Sequence, residues 1–212
     1  MPRPRAPHMQ VGPTQEFILT KFAASIIWFS GIAIWYLIRF PFERSAKKLR
    51  ITRSLFDWRE RGLLTIIFFV LSAFPAGYVL TGFPGFLNYS FVPALSWLGL
   101  IVLGASLWLF YRSHVYLDRN WSMSLEIREQ HVLVKSGIYR LIRHPMYASF
   151  LLLGIAQALL LPNLIVGGAG LVGLAFFCAL RISREEQLMT DFFGEEYRSY
   201  AATTKRIIPG II

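Results

Sequence analysis

Cysteine is all but absent: Cys178 is the single one in 212 residues. No intrachain disulfide can form, and no cysteine cluster can hold a metal. Its apolar neighbours predict a buried thiol rather than a nucleophile. Charge is also scarce, at 16% Asp, Glu, Lys and Arg, where soluble domains carry about 25%. What fills the space is apolar: 55% of the chain, with 18 Phe, 9 Tyr and 6 Trp, and a mean hydropathy of +0.48. That is more apolar area than a soluble core of this length can hide. A soluble globule, a disordered chain and a disulfide scaffold are thereby argued against. Acidic residues are the scarcest charge, 12 against 22 basic, for a net charge of +10. In a soluble protein that excess would suggest nucleic acid. In a membrane protein it records topology instead, so no nucleic-acid partner is expected.

A bilayer core about 30 Å thick needs roughly 17–25 apolar residues in a helix. Phe17–Ile38 qualifies, as does Gly62–Gly82 with a kink expected around Pro75 and Gly77. Phe91–Tyr111 is a third span, rimmed by Trp97, Trp108 and Tyr111. Tyr147–Leu161 and Leu164–Leu180 are separated only by Pro162 and Asn163, which predicts an antiparallel helical hairpin with short arms over 147–180. The expected fold is therefore an all-α integral membrane protein of about five spans. Residues 1–16 read as a disordered tail, and 17–212 as one membrane domain: three spans over 17–111, then a binding region over 112–212. The first apolar segment is too long for a cleavable signal peptide and lacks a small-residue cleavage site.

Basic residues are unevenly placed. Arg39–Arg61 holds eight, Arg112–Pro145 six, and Arg181 onward five, whereas Phe83–Ser90 and Pro162–Asn163 hold none. Nineteen of 22 thus fall on one side of the odd-numbered crossings, and the positive-inside rule makes that side cytoplasmic. The N-terminus is then outside. Phe40–Arg61 alternates basic residues with Leu49, Ile51, Leu55, Phe56 and Trp58, consistent with an interfacial helix or a solvated loop.

Gly168-Ala-Gly170-Leu-Val-Gly173 matches a dinucleotide-binding pattern by letter, but no strand precedes it. Small residues at this spacing inside an apolar helix serve close helix packing. The chemistry lies elsewhere. The polar stretch between the third and fourth spans runs from Asn120 through His131-Val132-Leu133-Val134, Ser136-Gly137, Tyr139 and Arg143-His144-Pro145-Met146-Tyr147. Pro145 suits the first turn of a helix, whose start offers N–H groups and a positive dipole end to a carboxylate or phosphate, with Arg143 and His144 alongside. A second cluster, Arg181, Glu185, Glu186 and Leu188, sits where the last span emerges. Positions 181, 185 and 188 share one helix face. A bland alternative is an Arg181–Glu185 surface pair.

Together these pieces resemble the isoprenylcysteine carboxyl methyltransferase family, itself related to the phospholipid N-methyltransferases. The matching residues are His131–Val134, Ser136-Gly137-x-Tyr139, Arg143-His144-Pro145-x-Tyr147, Arg181 with Glu185-Glu186-x-Leu188, and Phe193-Gly194-x-x-Tyr197-x-x-Tyr200. They cover about 120–209. Ile138 and Ser149 stand where many members have proline and glycine. The resemblance implies S-adenosylmethionine as cofactor, lined by His131, Val132, Leu133, Val134, Tyr139, His144, Pro145, Met146, Tyr147 and Glu185. It implies that Arg181 faces a lipophilic or prenylated acceptor arriving from the bilayer, on the cytoplasmic side, with no metal.

The residue types suit those roles. Val132–Val134 can wall an adenine, Glu185 can accept from a ribose diol, and His144 with the helix start suits the cofactor's carboxylate. Tyr139 or Tyr147 can face a sulfonium. A carboxylate acceptor needs a cation and no base, which Arg181 supplies; an amine or thiol would need Glu185, Glu186, His131 or His144 as base. The acceptor choice leans to a carboxylate, with a phospholipid amine or small thiol as alternatives. A sterol-type reductase using NADPH would draw on Arg128, Lys135 and Arg140 for phosphates, and a membrane scaffold would need no cofactor.

Overall fold

The computed structural model describes residues 20–122, 125–129 and 131–210. The expected N-terminal tail and the first residues of the first span lie outside them. Helix α1 (Lys21–Ala46) begins at Thr20, whose hydroxyl accepts from the Ala23 N–H. A single rod, Trp58–Thr81, follows as α2 (Trp58–Phe68), a π-helical turn (Phe69–Ala73) and α3 (Phe74–Thr81). Next come α4 (Pro93–Leu117), α5 (Pro145–Leu160), α6 (Leu164–Phe193) and α7 (Glu195–Thr203). Four of these helical stretches are long and apolar enough to cross a membrane: α1, 58–81, α4 with its short extension to Asn120, and α6. At 16 residues, α5 is about 24 Å long, short of a full span. The expected hairpin is present, but its second arm does not stop at Leu180. It runs to Phe193, so Arg181 and Glu185 ride on a continuous helix.

The expected disturbance at Pro75 appears as the π turn. There the Phe74 N–H bonds back to the Phe69 carbonyl, five residues away. The next carbonyl, Val70, would need the N–H of residue 75, which proline lacks. Gln157 of α5 supplies the missing donor: its Nε2 lies 2.9 Å from the Val70 oxygen and 2.7 Å from that of Val166. One buried amide so joins three helices.

The glycine-rich stretch packs rather than binds a nucleotide. A Cβ on Gly170 would lie 2.3 Å from Gln157 Oε1, and one on Gly154 2.6 Å from the Leu171 Cα. A side chain at Gly154 would force α5 from α6, and one at Gly170 would displace the Gln157 amide; Gly168, in contrast, faces open space. Cys178 is buried, as expected.

Of the two readings of the basic segment after the first span, neither a helix along its length nor a plain loop is found. Helix α1 continues through Phe40 to Ala46, and Ile51–Ser54 forms strand β1, paired antiparallel with β2 (Glu126–Arg128). The class is helical, with this two-stranded sheet as its exception. Arg128 explains why the chain turns here. Its buried guanidinium donates to the Ala46 and Leu49 carbonyls at 2.7 and 3.1 Å, closing the end of α1.

Candidate active site

One cavity of about 350 Å³ gathers the sequence-predicted residues. His131, Val132, Leu133, Val134, Tyr139, His144, Met146, Tyr147, Arg181 and Glu185 all line it. Pro145 does not: it opens α5 and sets where His144 and Tyr147 point. The inner wall is apolar and comes from the helices, including Ile32, Ile67, Leu71, Phe110, Phe150 and Phe177. A polar mouth over an apolar shaft is the result.

The mouth is built by local rules. Gly137 takes a positive φ of 60°, and a Cβ there would lie 2.0 Å from the Tyr116 ring, so only glycine lets the 131–140 loop lie against α4. Tyr139 is buried and its carbonyl accepts from Tyr200 Oη at 2.5 Å, which docks α7 onto the loop. Burial pushes the Tyr139 phenol well above its usual range and the Tyr200 phenol up to about 12, so both stay neutral hydrogen-bonding groups. The Val132 N–H donates to Asn120 Oδ1 at 2.9 Å. Burial likewise lowers the His131 pKa below the usual imidazole value, and its Nδ1 is buried without a hydrogen-bond partner among the described residues.

The two adjacent glutamates part company. Glu185 faces the cavity: Tyr147 Oη donates to its Oε2 at 2.5 Å, and His144 Nδ1 lies 3.9 Å from its Oε1. Glu186 turns away into a cationic cluster, with Arg143 Nη2 at 3.0 Å, Arg206 Nη2 at 2.7 Å and His144 Nε2 at 3.2 Å. Arg143 also donates to the Ala201 and Thr204 carbonyls, and the Arg143 and His144 N–H groups bond to the Lys205 and Arg206 carbonyls. The C-terminal segment is thereby tied across the start of α5. This corrects the expectation that Glu186 is available as a base: its oxygens are taken up by three donors.

Arg181 is buried rather than part of a surface pair. Its Nη2 lies 3.2 Å from Glu60 Oε1, and its guanidinium sits 5.2 Å above the Phe177 ring. Sequence reasoning missed Glu60, which is fully buried in the first turn of α2. The signal was present, since Asp57-Trp-Arg-Glu60 is a helix-start pattern, and Asp57 Oδ1 does accept from the Glu60 N–H at 2.9 Å. That hydrogen bond also holds the Asp57 carboxyl below its usual range. Also missed was the facing wall, where Arg39 lies over both Trp35 and Trp121 at 5.6 and 5.5 Å.

The model of the isoprenylcysteine carboxyl methyltransferase (ICMT) family matches residues 97–191. Protein-S-isoprenylcysteine O-methyltransferase of Dictyostelium discoideum is 38% identical over 87 residues, 41% of this chain and 36% of that one. Its A form in Arabidopsis thaliana is 36% identical over 87 residues, covering 44% of its length. The chain thus spans less than half of these two relatives. Probable protein-S-isoprenylcysteine O-methyltransferase of Oryza sativa subsp. indica is 32% identical over 131 residues, 61% of this chain and 67% of the relative. Among solved structures, the eukaryotic intramembrane Ras methyltransferase ICMT aligns with a TM-score of 0.50 over 88% of this chain and 85% of that one, at 20% identity, a likeness of fold. With the motif residues gathered in one cavity and the rice relative matched over two thirds of its length, the chain belongs to the isoprenylcysteine carboxyl methyltransferase family.

Proposed function

We propose that the protein transfers a methyl group from S-adenosylmethionine to the carboxylate of a lipophilic acceptor, such as a C-terminal isoprenylcysteine. The observation that carries this reading is one cavity lined by Arg181 and Glu185 together with polar side chains of the 120–147 segment and apolar side chains of the helices. A soluble cofactor and a hydrocarbon chain need those two environments side by side. Family membership and the names of the relatives support it.

The residues present suit the cofactor. Glu185 offers an acceptor to ribose hydroxyls, oriented by Tyr147. The orphaned His131 Nδ1 is a buried polar atom awaiting a partner. Val132, Leu133 and Val134 wall an apolar slot for a base. His144 and the N–H groups at the α5 start suit a carboxylate. Tyr147, fully committed to Glu185, presents an aromatic face where a sulfonium is favoured. The cofactor supplies an electrophilic methyl on sulfur.

An ionised carboxylate is already a nucleophile, so this chain has no proton to remove. Its task is alignment for in-line displacement. Arg181 performs it with a planar fork ion-paired to Glu60. Phe177, Phe150 and Leu174 exclude water around the reacting centre. The positive bias of the 39–61, 112–145 and 181–212 segments supports an active site on the cytoplasmic face.

Incubation with methyl-labelled S-adenosylmethionine and a panel of prenylated thioether acids, phospholipids and small thiols tests the reading. Label on the prenylated acid that mild base releases is the expected result. Base-stable label on an amine or thiol would reassign the acceptor. Protection from thermal unfolding by NADPH instead of S-adenosylmethionine would replace methyl transfer with reduction.

A further inference from the structure

Helices α2 and α6 meet through a ladder of opposite charges. Asp57 Oδ2 lies 3.0 Å from Arg184 Nη2, and Glu60 Oε1 lies 3.2 Å from Arg181 Nη2. A diagonal contact of 3.9 Å joins Glu60 Oε2 to Arg184 Nη1. Both acids sit three residues apart on one helix and both arginines three apart on the other, so the rungs match in register. Asp57 also caps the helix on which Glu60 stands. Glu60 is fully buried and does not line the cavity, whereas Arg181 does. A buried carboxylate behind a cavity-lining guanidinium touches no ligand directly; it acts through the arginine.

Resting on the methyl-transfer reading, we infer that Glu60 is a positioning residue, which holds the Arg181 fork toward the acceptor carboxylate and so sets the preference for an acid over a neutral acceptor. A guanidinium buried beside several carboxylates is drawn to whichever is nearest, and Glu60 meets Arg181 as an ion pair at 3.2 Å. Glu185 stands one helical turn along α6 from Arg181, the ordinary i,i+4 partner. Anchoring by Glu60 from another helix opposes that swing. It leaves Glu185 to Tyr147 and the cofactor. Asp57 and Arg184 form the flanking rung that keeps α2 and α6 in register, so Glu60 meets Arg181 rather than the next turn.

The test compares N-acetyl-S-farnesylcysteine, as acceptor, with its carboxamide, as competitor, in detergent-solubilised protein at saturating S-adenosylmethionine. The ratio of the carboxamide inhibition constant to the acid KM measures the preference for charge. Glu60→Gln keeps the shape and removes the anchor, and the ratio should fall by about 10- to 100-fold, the cost of misplacing a bidentate group by about 1 Å. A purely structural loss would weaken both compounds alike and leave the ratio unchanged, which overturns the proposal. A ratio that rises would also overturn it, because Glu60 would then merely screen Arg181. Glu60→Asp, which keeps the charge but shortens its reach by about one C–C bond (~1.5 Å), provides the same measurement should the glutamine variant not fold; its ratio should fall between the other two. Wild-type protein that makes no base-labile ester from the acid would refute the methyl-transfer reading itself. Ester formation with an unaltered ratio in a folded variant would refute only the role of Glu60.

Discussion

Tyr147 Oη donates to Glu185 Oε2 at 2.5 Å, joining the first turn of α5 to α6 across 38 residues of sequence. The bond fixes the χ angles of a glutamate that would otherwise sweep the cavity mouth. Glu185 Oε1 lies 3.9 Å from His144 Nδ1, and the residue lines the cavity. Charge-assisted bonds of this kind are roughly twice as strong as neutral ones, so Tyr147 decides where Glu185 can offer its second oxygen.

Glu185→Gln should weaken S-adenosylmethionine binding about 10- to 100-fold, since an amide keeps the shape but loses about 1.5–3 kcal/mol of charge-assisted bonding. Tyr147→Phe should cost less, about 3- to 10-fold, because it frees the carboxylate without removing it. Calorimetric titration of both variants checks the order. Equal affinities in wild type and Glu185→Gln would remove Glu185 from the cofactor site.

Arg181→Lys should separate binding from turnover. Lysine keeps the charge and loses the planar fork, so turnover on a carboxylate acceptor should fall on the order of 100-fold. The cofactor dissociation constant should move by less than about threefold. Parallel losses in both would place Arg181 at the cofactor.

At the other end of the bundle, Asn163 is buried and fully used. Its Oδ1 caps α6 by accepting from the Ile165 and Val166 N–H groups, while its Nδ2 donates to the Pro84 carbonyl and to Asn88 Oδ1. Asn163→Ala removes the cap and strands the Pro84 oxygen, so it should cost about 2–4 kcal/mol of stability. Asn163→Asp keeps the cap but turns a buried carboxylate oxygen against the Pro84 carbonyl and Asn88 Oδ1, so it should cost at least as much. Thermal unfolding in detergent should rank wild type above both variants, with Asp no better than Ala.

Burial holds the His131 pKa below its ordinary value of 6.5. In the unfolded chain His131 therefore takes up its proton first as pH falls. Its contribution to stability is whole above pH 6.5 and is lost as pH drops from there through the lower folded value. Denaturation at stepped pH should show a decline across that window that is smaller in His131→Gln. An identical decline in the variant would show that His131 is solvated in the fold.

Topology is open to direct labelling. Phe86 and Lys205 are both exposed, and the charge bias puts them on opposite sides of the membrane. Cysteines introduced there should react with a membrane-impermeant reagent from opposite faces, while buried Cys178 stays silent. Reaction of both from one face would break the assignment.

Hydropathy, proline, glycine and cap signals act within a few residues, and these by themselves determined the helical class, the hairpin break at Pro162-Asn163, the start of α5 at Pro145 and the packing role of the glycine run. Motif order likewise brought His131–Val134, Tyr139, His144–Tyr147, Arg181 and Glu185 into view together. Other matters depended on which helices touch. The Arg181 partner lies 121 positions away on α2, and no local spacing favours it over the nearby Glu185. The two glutamates at 185 and 186 differ by about 100° of helix rotation; only the fold put Arg143, Arg206 and His144 on one side and the cavity on the other. Strand β1 was hidden as well, because four exposed residues have no burial pattern to read, and their partner is 72 positions or more further along the chain. Local signals specify the elements, whereas the choice of partner for a buried charge is a competition among groups that only tertiary packing brings within reach.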